Sequence, residues 1–127
     1  MNWVQQVIAD FGIQIGINDL SLDDEGSIRL ESDDRSSIGI IYHQQTHPPE
    51  VIVYRSMPIT YFTNGQYRSA LEQANSQKPR PWQLQAACNQ QEMIFAFRIP
   101  ERTFLLNSLE KALMELREIQ KNIEVSR

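Results

Sequence analysis

The sequence predicts a single α+β domain over residues 1–127, a sandwich in which helices cover one twisted antiparallel sheet in the order α-β-β-β-α-β-β-α. Three observations support this class. Apolar residues recur at helical spacing near both ends and once in the middle of the chain. Apolar and polar residues alternate with a period of two in the stretches between these helical segments. No long linker or internal repeat divides the 127 residues, a length that suits one domain.

The first helix is predicted after Asn2, a plausible N-cap, and before Gly16, a plausible C-terminal stop. Its apolar stripe consists of Trp3, Val4, Val7, Ile8, Phe11 and Ile15. Three strands joined by short turns then predict an antiparallel meander. They are the segments SIRLE, SIGIIYH and VIVYRSM, separated by the turn-rich segments SDDRS and QQTHPPE.

A middle helix, with Thr63 or Asn64 as its cap, should end before the segment KPRP, because proline opposes helix continuation. Two strands follow. The first has a one-sided apolar face of Trp82, Leu84, Ala86 and Cys88, and the second has Met93, Phe95, Phe97 and Ile99. Pro100 begins the last element, whose apolar residues repeat at helical spacing from Leu105 to Ile123.

Composition and charge exclude several classes of function. The 12 basic and 16 acidic residues give a net charge of −4, which argues against nucleic acid or an anionic membrane as the main partner. No apolar run approaches the ~20 residues of a membrane span, and the N-terminus lacks the pattern of a signal peptide. One cysteine cannot form an internal disulfide. A reducing cytoplasm fits these features.

The acidic stretch between Gly16 and His43 raises the question of a metal site. A calcium loop with Gly26 at its centre would place Ser21 and Ser32 at the first and last ligand positions, and neither supplies a carboxylate. We therefore interpret Asp23, Asp24, Glu25 and Gly26 as a solvated turn that opens a strand, and Asp33 with Asp34 as the next turn.

Other residues with reactive side chains give little support to an enzyme. His43 and His47 flank a proline-containing loop and are predicted to be exposed, with no cysteine nearby to complete a zinc site. Cys88 is predicted to be a small buried hydrophobe on its strand. The five glycines are dispersed, so no phosphate-binding loop is present. We expect no catalytic residue, no metal and no cofactor.

The residues at two soft motifs resemble the class I type III secretion chaperones. The first motif runs over Gly16, Ile17, Leu20, Asp23 or Asp24, Gly26 and Leu30, with Ile17 in place of the commoner leucine. The second, at the end of the middle helix, consists of Leu71, Ala74 and Asn75. Element order, length and acidity agree along nearly the whole chain. The proline-rich SQKPRPWQ segment and the long HQQTHPPE turn depart from the usual pattern.

The resemblance implies a cytoplasmic bacterial chaperone without catalysis. Such a protein binds the N-terminal segment of a secreted effector, or of the gatekeeper protein of the secretion channel, in extended form. Strand addition to a sheet edge and apolar pockets would supply this binding. The partner-binding residues that we predict are Val4, Val7, Ile8 and Phe11 of the first helix, with Ile28, Leu30 and Ile38 of the meander.

The resemblance also suggests dimerisation, as a homodimer or as a heterodimer with a second chaperone. The dimer contact is predicted at Tyr67, Ala70, Leu71 and Ala74, with Trp82 and Leu84. Three other classes stay open from the residues alone. They are a peptide- or small-ligand-binding module with an internal pocket, an enzyme whose site the sequence hides, and a structural subunit of the secretion apparatus.

Overall fold

The predicted α+β class and element order are confirmed by a computed structural model that describes residues 3–32, 34–76, 78–89 and 91–126. The predicted N-cap Asn2 and turn residue Asp33 lie outside these residues. The elements are α1 (Trp3–Gln14), β1 (Ser27–Glu31), β2 (Ser37–His43), β3 (Glu50–Pro58), α2 (Asn64–Ala74), β4 (Leu84–Cys88), β5 (Glu92–Pro100) and α3 (Leu106–Glu124).

The five strands form one antiparallel sheet in the order β1-β2-β3-β5-β4. The first three strands are the predicted meander. The last hairpin inserts β5 beside β3 and leaves β4 at the outside, so β1 and β4 are the two edges. This placement decides which backbone groups remain available to a partner chain.

All three helices contribute to one hydrophobic core on a single face of the sheet. Helix α3 packs on β3 and β5, α2 contacts α3 and β4, and α1 contacts α3. Phe95, Phe97 and Phe104 are the largest fully buried side chains. Burial of an aromatic or branched aliphatic side chain contributes roughly 1.5–3 kcal/mol, so this core is the main source of stability.

Local signals in the sequence fix the helix ends. Gly16 has a φ of +85°, and Ile17 N donates to Gly12 O at 2.7 Å, which closes α1 with a Schellman motif. Thr63 is the N-cap of α2, and Gln66 completes a reciprocal capping box with it. Both ends agree with the sequence analysis.

The start of the last helix differs from the prediction. Pro100 remains in β5, where it pairs with Glu50 of β3, and a 3₁₀ turn at Glu101–Thr103 follows. Helix α3 begins at Leu106, and Leu105 precedes it with 52% of its surface exposed. Strand β5 continues to Pro100 because this end of the strand pairs with β3. A helix that began at Pro100 would lose this pairing.

On the sheet face away from the helices, Tyr54 of β3 lies over Gly39 of β2. A Cβ at Gly39 would collide with the Tyr54 ring. We expect Gly39→Val to lower the free energy of unfolding by about 1–3 kcal/mol, because the ring must leave its position. Urea unfolding checks this value. The double variant Gly39→Val with Tyr54→Thr should recover most of the loss, and equal losses in both backgrounds would contradict the collision.

Candidate partner-binding surfaces

The acidic stretch forms the turn that the sequence predicts. The Asp23 carboxylate accepts hydrogen bonds from Ser27 N at 3.0 Å and Glu25 N at 2.9 Å, and Gly26 has a φ of +80°. The hydrogen bond from the Ser27 backbone is the main cause that lowers the pKa of Asp23 below its ordinary 3.8. The carboxylate therefore stabilises the turn that leads into β1. Its acceptor oxygens already bind groups of its own chain.

The remaining reactive side chains do not converge. Among the described residues, no cluster of three or more His, Cys, Asp or Glu side chains is arranged to hold a metal ion. His43 and His47 are exposed, as predicted. Cys88 is also exposed, and its predicted burial is wrong. The reason is topological: β4 is an edge strand, and only its first residue, Leu84, is half-buried.

The predicted partner-binding residues fall into two groups in the structure. Ile28, Leu30 and Ile38 are half-buried on the helix-facing side of β1 and β2, against the rim of the core. We call these three residues the β1 flank. Register brings them together, since Leu30 pairs with Ile38 and Ile28 pairs with Ile40. The flank therefore presents a continuous apolar strip beside the sheet edge.

The four predicted residues of α1 occupy a different position. Val4 and Ile8 have no exposed surface, and Val7 and Phe11 are 7% and 6% exposed. These side chains face the hydrophobic core, so they offer almost no surface to a partner in this conformation. The exposed apolar side chains of this region are instead Trp3, Ile13, Ile15 and Ile17. Contact of the four buried residues with a partner stays a prediction.

Among the contacts of the described residues, the backbone at the β1 edge is open over a short stretch. Ser32 N donates to Ser36 O and Tyr42 N to Gly26 O, so alternation directs Ile28 and Leu30 toward β2. Arg29 and Glu31 therefore direct their N–H and C=O groups outward. Asp23 occupies the outward groups of Ser27, through Asp23 N to Ser27 O at 2.9 Å and Ser27 N to the carboxylate. A strand that adds here would pair with Arg29 and Glu31.

The predicted dimer residues lie on the opposite side of the molecule. Tyr67 and Leu71 of α2 are 40% and 55% exposed, and Ala70 is buried. Ala74, Trp82 and Leu84 are partly buried and line a cavity of about 390 Å³ between the end of α2 and the start of β4. We call the six residues together the α2–β4 flank. The structure thus groups the predicted set beside the second sheet edge, and its role as a dimer contact stays a prediction.

Sequence reasoning missed a polar cluster that ties the β1–β2 turn to α3. Arg55, with a side chain 11% exposed, donates to Ser36 Oγ at 3.0 Å and to Gln120 Oε1, and lies 3.8 Å from Asp34. Gln120 Nε2 also donates to Asp34 Oδ2 at 3.0 Å. Burial is the main cause that lowers the pKa of Arg55. The sequence contains a signal for this cluster, because Arg55 occupies an inward-facing position in the apolar alternation Val51, Val53, Arg55, Met57.

A second missed feature is a shallow groove of about 500 Å³ on the sheet face away from the helices. Small or apolar side chains line most of it, namely Ile52, Ala87, Ile94 and Ala96, and Ala86, whose side chain faces the helices, borders it. Arg98 closes one end, where it bonds to Glu50 and to Gln85 Oε1 at 2.8 Å. The alternation of apolar residues along the strands identified the inner face of the sheet. The sequence analysis gave the outer face no role.

Within the described part of the chain, none of the helices combines the length and hydrophobicity required to cross a membrane. No protein-family model and no curated protein matches the sequence.

Solved structures share the fold at low sequence identity. A chain of the ExsC–ExsE complex has a TM-score of 0.76 at 17% identity, covering 96% of this chain and 92% of that chain. For a chain of the Yersinia pestis type III secretion chaperone SycH with a stable fragment of YscM2, the TM-score is 0.66 at 13% identity, covering 96% and 98%. A chain of the HopA1–SchA chaperone–effector complex gives 0.65 at 13% identity, covering 97% and 94%. The chain thus has the fold seen in type III secretion chaperone structures, as the resemblance implied.

Proposed function

We propose that this protein is a type III secretion chaperone that binds the N-terminal segment of a secreted effector or gatekeeper protein in extended form. It binds without catalysis, in the bacterial cytoplasm, and keeps the segment soluble before export. The observation that carries the proposal is the open β1 edge beside the β1 flank. The likeness to chains of chaperone–effector structures supports it.

The chemistry of the β1 edge suits an unfolded segment. Arg29 and Glu31 present outward backbone groups, which pair with any extended chain regardless of its sequence. Ile28, Leu30 and Ile38 then give specificity, because alternate apolar side chains of the segment fit against the exposed part of this strip. Ordering a flexible segment costs conformational entropy, so contacts beyond this edge must add buried area.

Affinity capture from the bacterium of origin tests the function. The tagged chain should capture one secreted protein, and brief proteolysis should leave only an N-terminal stretch of that client protected. Capture of nothing but a second small chaperone-like chain would indicate an obligate heterodimer. Capture of no protein, together with a bound small molecule in native mass spectrometry, would overturn the chaperone function in favour of a ligand-binding module.

The β1 edge itself is tested by Arg29→Pro, with Arg29→Ala as the matched control. Proline removes the outward N–H but leaves the ladder to β2 intact, and edge strands tolerate it. Alanine removes the same side chain, with its 3.3 Å ion pair to Glu92, and keeps the N–H. We expect Arg29→Pro to weaken client binding about tenfold or more, and Arg29→Ala to bind within about threefold of the native chain.

Hydrogen exchange gives a second readout that does not depend on these variants. Client binding should slow exchange of the Arg29 and Glu31 amides, since both become hydrogen-bonded. Unchanged exchange at the two amides in a saturated complex would place the client elsewhere on the chain.

A further inference from the structure

Within the described part of the chain, one polar side-chain atom, Nε of Arg80, is buried without a hydrogen bond. The described ion pairs do not include Arg80 either. A buried N–H without an acceptor is costly and rare in native proteins, so it points to an acceptor outside the chain. Arg55, the other half-buried arginine among the described residues, has its acceptors on Ser36 and Gln120. Arg80 lacks an acceptor that its own chain does not supply.

Arg80 lines the cavity of about 390 Å³ between the end of α2 and the start of β4, and so does Lys78. Each of these residues precedes a proline, which favours an extended backbone. Alternate residues of an extended chain point to the same side, so the local sequence directs both positive charges to one cavity. They are the only charged residues from Gln73 to Gln91. The cavity is therefore a positively charged spot on a chain with a net charge of −4.

The end of α2 does not use the guanidinium of Arg80. Asn75 closes this helix, because its N and its Nδ2 both donate to Leu71 O, at 3.0 and 2.9 Å. Among the described contacts, no hydrogen bond holds the Arg80 side chain in place. A rotation of the side chain that turns Nε into the cavity therefore breaks no hydrogen bond, and the guanidinium can bind a ligand there.

We propose that this cavity binds the carboxylate of an acidic residue in the client segment, with Arg80 as the bidentate donor and Lys78 as a second positive charge. The inference rests on the proposed function and adds a chemical requirement that the β1 edge does not impose. The guanidinium donates two parallel hydrogen bonds whose spacing matches the two oxygens of a carboxylate. The amide of Asn or Gln offers one acceptor oxygen and no charge, so the site distinguishes an acidic side chain from its neutral counterpart.

Two features of the cavity favour a carboxylate over a phosphate. Phosphate sites commonly use the N-terminus of a helix, whereas the helix end at this cavity is the C-terminus of α2. The partial negative charge of a helix C-terminus opposes a dianion more strongly than a monoanion. In addition, Ala74, Trp82 and Leu84 are partly buried and line the cavity, which suits the methylene groups of an Asp or Glu side chain.

Nuclear magnetic resonance tests the site with a defined probe. Arginine Nε–H groups give their own signals in nitrogen-correlated proton spectra, and the variant Arg80→Gln identifies the Arg80 signal by its loss. The peptide acetyl-Ala-Glu-Ala-amide should shift this signal in a saturable manner. The matched peptide acetyl-Ala-Gln-Ala-amide, which lacks only the carboxylate, should not. Inorganic phosphate is the third probe, and tighter binding of phosphate than of the Glu peptide would overturn the choice of a carboxylate.

Variants test the site in the client complex. Arg80→Gln and its matched control Arg68→Gln, at an exposed arginine of α2, make the same change in net charge. We expect Arg80→Gln to weaken client binding about tenfold or more, and Arg68→Gln to bind within about twofold of the native chain. Arg80→Lys keeps the charge without the planar fork and should recover only part of the loss. All three variants should keep the native urea midpoint, because Arg80 makes no described contact that the fold would lose.

Several results would overturn the proposal. They are equal client affinities for Arg80→Gln and Arg68→Gln, a protected client segment without Asp or Glu, and an Arg80 signal that does not move in the saturated client complex. A weaker dimer of Arg80→Gln with unchanged client affinity would also overturn it, since the acceptor would then belong to a second copy.

The site and the chaperone function can fail separately. Client capture by a chain whose Arg80 signal does not respond would refute the carboxylate site and leave the chaperone function standing. A chain that captures no client, but whose Arg80 signal responds to the Glu peptide alone, would support a carboxylate site and refute the chaperone function.

Discussion

Ile8→Asp is expected to abolish cooperative folding. Ile8 has no exposed surface and belongs to the hydrophobic core. The change removes an aliphatic side chain, at about 2–5 kcal/mol, and it also introduces a carboxyl group without a partner, which costs further kcal/mol even when the group becomes protonated. The two losses together approach the total of about 5–15 kcal/mol that stabilises a domain of this kind. Near-UV circular dichroism and urea unfolding measure the outcome.

Ile13→Asp is the matched control, because Ile13 lies on the same helix with 65% of its surface exposed. It should change the free energy of unfolding by about 0.5 kcal/mol or less. A folded Ile8→Asp variant with an unchanged urea midpoint would contradict the core position of α1. That result would restore α1 to the surface that the sequence analysis predicted for a partner.

Arg55→Ala is expected to lower the free energy of unfolding by about 2–4 kcal/mol. Arg55 donates to Ser36 and Gln120 beneath α3, and its loss leaves their acceptor oxygens short of partners in a poorly hydrated place. It also leaves Asp34 without its nearby positive charge. Breaking one member of a buried polar group costs more than the group contributes as a whole, so the effect is large for a single arginine.

Two comparisons assign the effect of Arg55 to its contacts. Arg68→Ala removes an exposed arginine from α2 and should change stability by about 0.5 kcal/mol or less. Arg55→Met keeps an apolar side chain on the inner sheet face and should retain more stability than Arg55→Ala. Equal urea midpoints for Arg55→Ala and the native chain would show that the cluster contributes nothing to the fold.

Secondary structure followed from the sequence because its signals are local. Gly16 ended α1, Thr63 capped α2, and alternation located all five strands within a few residues. The last helix was misplaced at its start because the ladder partner of Pro100, Glu50, lies about fifty residues away along the chain. Interactions at that distance do not appear in a local pattern.

The candidate surfaces could be predicted only in part. The residues of the α2–β4 flank lie together in the structure, and so do those of the β1 flank, because apolar residues at regular spacing indicate a face; the roles of both flanks stay predictions. Whether a face is covered depends on neighbours far away in the chain. The four α1 residues assigned to a partner, Val4, Val7, Ile8 and Phe11, are buried in the core, and Cys88, assigned to the core, is exposed.

The sequence by itself determined the class of fold and the order of its elements, since period and turn chemistry are properties of short segments. Only the tertiary structure decided that β5 lies between β3 and β4, which makes β4 an edge. It also decided that Arg55 meets Gln120 beneath α3. Strand order and burial depend on which segments, distant along the chain, become buried against one another. Those contacts form only when the whole chain packs.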